Sequence, residues 1–224
     1  MILECQYPTS LAALAAAIHQ PDLPSALQLF MHQRNHPNSL APPSDSFDGP
    51  IRIFHSATVQ FYAPSSDSCG TGGMYREIIR ANPDHGGVPC FDTVFVSISD
   101  DKKVMAGLLV ARVHLLLSYF DPYDQKEVPC GLITWFIHPS EASGPDKVTG
   151  MWKLCPEYDE NGKSPVQVVH LDTILRGAHL VPCYGEGFLL TDLKYSNALD
   201  AWNYYFINQF IDYHAHALLT TESI

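Results

Sequence analysis

Residues Val104–Ile137 read VMAGLLVARVHLLLSYFDPYDQKEVPCGLITWFI, two long apolar runs parted by a polar turn. Val104–Phe120 is apolar for most of its length, rich in Val and Leu, and bounded by turn residues. That pattern predicts strands rather than a helix. Gly107 is the expected place for a bulge or bend. Asp121-Pro-Tyr-Asp-Gln-Lys126 turns the chain, and Val128–Ile137 returns as another strand.

Upstream of this pair, Phe91–Ser99 predicts a strand and Asp100-Asp-Lys-Lys103 a turn. Ile51–Tyr62 (IRIFHSATVQFY) alternates, with Ile51, Ile53, Ala57, Val59 and Phe61 on one face, and predicts one long strand. Tyr75–Ala81 suits a helical turn or a strand. Downstream, Met151–Cys155 and Val166–His170 predict short strands parted by a polar turn at Asn161-Gly162. Leu171–Arg176 predicts one helical turn ended by Gly177, and Ala178–Tyr184 a last strand. In Ala198–Leu219, Leu199, Trp202, Phe206, Phe210, Tyr213 and Ala217 recur at three and four residues, which predicts a long amphipathic helix.

Upstream, Thr9 or Ser10 can cap a helix reaching about Gln20, and Pro24 suits the first turn of a second helix over Ser25–Arg34. Residues 35–50 have linker chemistry, rich in Pro, Ser, Asn and Asp. The expected organisation is a helical appendage (1–34), a linker (35–50) and a β-barrel-like module with a C-terminal helix (51–224).

At 46% hydrophobic and 17% charged residues, the chain is globular rather than disordered. Its net charge is −11, and Lys102-Lys103 is the one adjacent pair of cations. Nucleic-acid affinity rests on clustered cations, so direct duplex binding is disfavoured. No apolar run is long enough to span a membrane. Leu11–Ile18 follows an acidic rather than a basic segment and reads as a helix, not a signal peptide. The six Cys residues are widely spaced with no CxxC, which fits reduced thiols inside a cell.

The loop Ser68-Cys-Gly-Thr-Gly-Gly-Met74 poses the question of a phosphate site. A P-loop needs Lys-Ser/Thr after its last Gly, and Met74-Tyr75 stands there instead. A dinucleotide fingerprint needs a third Gly where Tyr75 lies. The expected role is a turn. Cys155, His170, His179 and Cys183 are metal ligands on paper, but no paired zinc spacing accompanies them. His32 and His36 are spaced like one half of such a site, beside no Cys pair. His214 and His216 would sit ~200° apart on a helix. No G-x-S-x-G elbow occurs. His170-Leu-Asp172 with Cys183 or Cys130 forms a triad only on paper. Tyr62, Trp135, Trp152 and Tyr184 lie near strand ends or loops, where converging rings hold a methylated ammonium by cation–π attraction. An acidic chain favours such cationic partners.

Several segments in order carry a resemblance: Phe61–Ser65 (FYAPS), Gly70–Arg80 (GTGGMYREIIR), Gly107–Val113, Pro129–Phe136 (PCGLITWF), Thr149–Trp152, Val169–Leu180 (VHLDTILRGAHL), and Leu199–Trp202 through to Asp212–His216. Together they resemble the C-terminal module of fungal Plavaka-type transposon proteins, relatives of CACTA-like elements, over roughly residues 50–218. The resemblance implies a module apart from the catalytic transposase core, not expected to cut DNA. Its expected partners are a chromatin protein or that core in trans, and its expected place is inside the cell, in the nucleus. The strand order around LITWF and VVHLDTILRGAHLVPCYG is also similar to a bromo-adjacent-homology (BAH) domain, a distorted β-barrel that binds chromatin proteins.

The sequence therefore predicts a mainly β (α+β) fold. It is a distorted, partly open barrel of BAH-like type, with a long C-terminal aromatic helix and a small helical appendage. The expected role is a non-catalytic interaction module derived from a transposable element, without a cofactor. The alternatives are a metal- or thiol-dependent enzyme using some of Cys130, Cys155, His170 and Cys183, or a decayed reading frame.

Overall fold

The computed structural model describes residues 3–4, 10–37, 47–66, 69–82, 88–97, 105–139, 144–186, 191–194 and 196–220. The expected turn at 100–103, the cap candidate Thr9 and most of the 35–50 linker lie outside them. In chain order the helices are α1 (Leu11–Ala17), α2 (Leu23–Asn35) and α3 (Tyr213–Thr220). The strands are β1 (Leu3–Glu4), β2 (Ile51–Phe54), β3 (Ser56–Tyr62), β4 (Met74–Asn82), β5 (Cys90–Phe91), β6 (Thr93–Ser97), β7 (Leu108–Asp121), β8 (Lys126–Ile137), β9 (Lys153–Pro156), β10 (Val166–His170), β11 (Ile174–Gly177), β12 (Leu180–Pro182) and β13 (Tyr205–Ile207).

The hairpin β7–β8 is the spine. β7 has 14 residues and β8 has 12, paired antiparallel from Val110↔Phe136 to Asp121↔Lys126. Strands this long curl, and each divides its edge between two neighbours. β7 pairs with β6 along Leu108–Arg112 and with β2 along Leu116–Tyr119. β8 pairs with β10 along Cys130–Thr134 and with β9 at Phe136–Ile137. The product is a mainly β fold with a curled half-barrel sheet, extended by β13 and β12 beyond β9. A second sheet, β3-β4-β5, covers one side.

β7 reads as a continuous apolar run because both of its faces are covered. Its register shifts between Val113 and Leu115, at His114. A bulge inserts one residue and so reverses the alternation. Before it, Ala111 and Val113 join the core under β3 and β4; after it, Leu115, Leu117 and Tyr119 join the core under the helices. Of the bulge or bend expected at Gly107, the bulge is at His114 and the bend is at Gly107. Gly107 takes φ 81° in the turn leading into β7.

Leu11 and Leu14 of α1 and Leu23 and Leu27 of α2 pack with Ile51, Leu115, Tyr119, Cys130 and Val168. Ser10 Oγ accepts from Ala13 N–H at 3.3 Å and so caps α1. Arg34 at the end of α2 donates to Asp121 at 3.0 Å, at the far end of β7. A third core joins Phe95, Val110, Phe136, Leu154, Leu180, Tyr205 and Ile207.

The structure corrects three expected elements. Ile51–Tyr62 is not one strand: it breaks at His55, so β2 pairs with β7 while β3 pairs with β4. The helical turn at 171–176 is a 3-10 turn over Leu171–Thr173 followed by β11. The long aromatic helix over 198–219 is absent; Tyr205–Ile207 is a strand held between β12 and β9, and only Tyr213–Thr220 is helical. Two-sided ladder pairing outcompetes the helical spacing of the aromatic residues there. The ambiguous segment at 75–81 is strand β4.

Candidate functional site

Between β3 and β4, Gly72 and Gly73 have φ of 77° and 75°, a region that suits glycine. Ala63 N–H donates to Gly73 C=O at 2.9 Å, and Gly70 N–H donates to Met74 C=O at 2.7 Å. Gly73 N–H in turn donates to Gly70 C=O at 3.2 Å. These amides close the loop on itself rather than facing a ligand, so the glycines turn the chain.

Beside this loop lies a cleft of about 760 Å³. Phe61, Tyr62 and Tyr75 come to it from the hairpin, Arg176 from β11, and Asp212, Tyr213 and His214 from the start of α3. Arg176 is its centre, with a side chain only 5% exposed. Its Nη1 and Nη2 donate to Asp212 Oδ1 at 2.9 Å and Oδ2 at 2.6 Å, a bidentate pair. Nη2 lies 3.9 Å from Glu77 Oε1, and Glu77 Oε2 accepts from Gly177 N–H at 2.8 Å. The guanidinium also sits over the Phe61 ring, 4.7 Å from its centroid. Asp212 Oδ1 accepts Ala215 N–H at 2.7 Å, which caps α3.

Electrostatics follow from this packing. Arg176 holds the Asp212 carboxyl below its ordinary value through their hydrogen bond. Burial, then the charge of Arg176, pushes the His214 imidazole down. A guanidinium can only donate, so Arg176 Nη1, 3.1 Å from His214 Nδ1, requires Nδ1 to be the acceptor. The neutral ring then carries its proton on Nε2. It stacks on Phe61 with centroids 4.4 Å apart. With its acceptor nitrogen engaged, His214 is not poised as a general base. Among the described residues, Glu77 and Asp212 against Arg176 leave the cleft net negative, beside the rings of Phe61, Tyr62, Tyr75 and Tyr213.

Of the aromatic residues singled out from sequence, Tyr62 lines this cleft and is 64% exposed. Trp135 is buried under β3 and β4, its Nε1 donating to Gln167 Oε1 at 2.8 Å. Trp152 packs on the third core, edge-on to His138 at 4.9 Å. Tyr184 meets Trp202 edge-on at 5.2 Å. Trp135, Trp152 and Tyr184 are not in the cleft.

The Cys and His candidates disperse. Cys155 Sγ lies 3.6 Å from the Ile137 carbonyl, and His179 Nδ1 lies 3.0 Å from Asn208 Nδ2. His170 Nδ1 accepts from Asp172 N–H at 3.2 Å, and Cys183 follows β12. Among the described residues, no three His, Cys, Asp or Glu side chains gather as metal ligands would. Cys130 is opposite His170 in the β10–β8 register, yet it is wholly buried and burial raises its thiol well above the ordinary range. That environment suits a small hydrophobe, not a nucleophile. His32 on α2 and His36, just past its end, meet ring to ring at 5.2 Å.

Sequence reasoning missed Arg176, Glu77 and Asp212. One signal was present: Asp212 precedes Tyr-His-Ala-His as a cap precedes a helix. Placing Asp212 inside a longer helix concealed it. Among the described residues, no helix is long and apolar enough to cross a membrane. Comparison with protein-family models, curated proteins and solved structures gives no match to this chain.

Proposed function

We propose that the chain is a non-catalytic interaction module that receives a cationic side chain of a partner protein in the cleft beside Arg176. One observation carries the reading: Phe61, Tyr62, Tyr75 and Tyr213 line a cleft with Glu77 and Asp212, and its single cation among the described residues, Arg176, is already held by Asp212. Aromatic faces and a net negative rim attract ammonium groups. The partner is a chromatin protein with a basic tail, and the module acts in the nucleus. A transposable-element origin is supported by the ordered segments from Phe61 to His216. The BAH-like type is supported by the curled, partly open antiparallel sheet, although shared architecture does not itself establish function.

Fluorescence anisotropy with labelled histone-tail peptides, with and without lysine methylation, tests this. Binding should weaken in Tyr62→Ala and Tyr213→Ala, whose side chains are 64% and 71% exposed and so are dispensable for folding. Absence of binding by every basic peptide would remove the reading.

A further inference from the structure

The half-barrel has an open seam. Among the described residues β3 pairs with β4 alone, and β11 pairs with β6 alone. The two edge strands border a gap of about 460 Å³. Ala57–Phe61 form one wall, Leu171, Ile174 and Leu175 the other, and Leu218 of α3 also lines it. Phe61 and His214 line both this gap and the aromatic cleft, so the two spaces are neighbours.

The backbone along this seam is directional. Ala63 N–H donates to Gly73 C=O, and Ala81 N–H donates to His55 C=O. With the register Ala57↔Ile79, Val59↔Glu77 and Phe61↔Tyr75, these bonds assign the odd-numbered residues of β3 to the ladder with β4. The amides and carbonyls of Thr58 and Gln60 therefore point away from β4. No strand among the described residues takes them. Such an edge is a template for an incoming strand.

We propose that this seam takes an extended segment of a partner protein as an added strand on β3, with apolar and cationic side chains alternating along it. The proposal rests on the interaction reading above and specifies its mode. Main-chain hydrogen bonds to Thr58 and Gln60 supply affinity, and the flanking spaces supply selectivity. Apolar side chains of the segment fill the space against Val59, Leu175 and Leu218. Charge selects the cationic ones: Asp172, 88% exposed in its side chain, lies at the seam, and Glu77 and Asp212 lie in the neighbouring cleft. Arg176, the one cation lining either space among the described residues, is already bound to Asp212. A second copy of this chain is a poor occupant, because each carries a net charge of −11.

The test uses an octapeptide of alternating lysine and valine, fluorescein-labelled, in anisotropy titrations with the full chain. Gln60→Pro removes one outward amide and leaves the β4 ladder intact, a substitution that edge strands tolerate. It should weaken binding by at least about tenfold while leaving the circular dichroism spectrum unchanged. The same peptide, N-methylated at alternate residues, should lose a similar factor against the wild-type chain. That second arm decides the matter if Gln60→Pro does not fold. Equal binding by Gln60→Pro and by the methylated peptide would overturn strand addition while leaving the interaction reading in place. No binding by the wild-type chain would overturn both. A peptide-free dimer that Gln60→Pro converts to a monomer would also overturn the proposal, by giving the edge to a second copy.

Discussion

Arg176 and Asp212, 36 residues apart in the chain, meet through two parallel hydrogen bonds of 2.9 and 2.6 Å. The arginine comes from an edge strand and the aspartate from a helix cap, so one ion pair fastens α3 across the open side of the half-barrel. The guanidinium is almost fully buried, while the carboxylate is 39% exposed.

Removing the carboxylate leaves a buried charge with a distant second partner. Asp212→Ala should cost about 2 kcal/mol, less than for a fully buried pair because the carboxylate is partly solvated. In an Arg176→Met background the same change should cost less than half as much, by chemical denaturation. The depressed Asp212 value fixes the sign with pH. The stability is full above the unfolded carboxyl value of about 3.9 and is lost as pH falls through the folded value. Asp212→Asn should therefore flatten the acid limb of the stability curve.

His114 gives a second pH dependence. It sits at the β7 bulge with Nε2 2.9 Å from Thr134 Oγ1, and burial lowers it to about 4. The unfolded chain takes up a proton near pH 6.5 that the folded chain refuses. Stability from the neutral ring is thus full above about pH 6.5 and declines towards pH 4, by up to about 3 kcal/mol. His138 and His214 are lowered in the same direction, so the wild-type slope is a sum. His114→Gln keeps a hydrogen-bonding group and should reduce that slope between pH 7 and pH 5. An unchanged slope would place the dependence elsewhere.

The glycine loop separates steric from conformational need. A Cβ on Gly73 would lie 2.9 Å from the Tyr62 ring and 3.1 Å from Pro64 Cβ, at φ +75°. Gly73→Ala should destabilise by about 2 kcal/mol and reduce peptide binding by displacing Tyr62. Gly72→Ala meets no atom within 4 Å and should cost about 1 kcal/mol, from its φ alone. Gly70→Ala, whose Cβ would find only the Met74 carbonyl at 3.5 Å, should be nearly silent. Thermal melts of the three variants rank them directly.

At the opposite end, Asp121 has no exposed side-chain surface; it accepts from Arg34 at 3.0 Å and from Tyr123 N–H at 2.9 Å. Asp121→Ala should cost about 3 kcal/mol, since it strips the helix–sheet contact of its buried acceptor. Hydrogen exchange should then accelerate in α2 more than in the centre of β7. Uniform acceleration would mean that the pair stabilises the whole fold rather than docking the helix.

Local chemistry made much of the fold readable. The turn at Asp121–Lys126 and the apolar runs beside it specify β7 and β8, because period and punctuation act within a few residues. Val166–His170 matches β10 end to end, and Pro24 enters α2 where a proline suits a first turn. The candidate site was less legible. Tyr62 announced itself as an aromatic at a strand end, but Arg176 and Asp212 carry no local mark of their pairing.

The β-rich class, the central pair of strands, the two N-terminal helices and the turning role of the glycine loop follow from local sequence, because each depends on neighbours along the chain. The break at His55, the reversal of faces at His114 and the strand at Tyr205–Ile207 come from long-range pairing instead. Those depend on which distant strand offers hydrogen bonds. Tyr205–Ile207 has helical spacing around it, yet it lies between β9 and β12, and paired backbone groups on both sides outweigh a local preference. The open seam and the acidic aromatic cleft have the same origin: they are what remains where two edge strands stop short of each other.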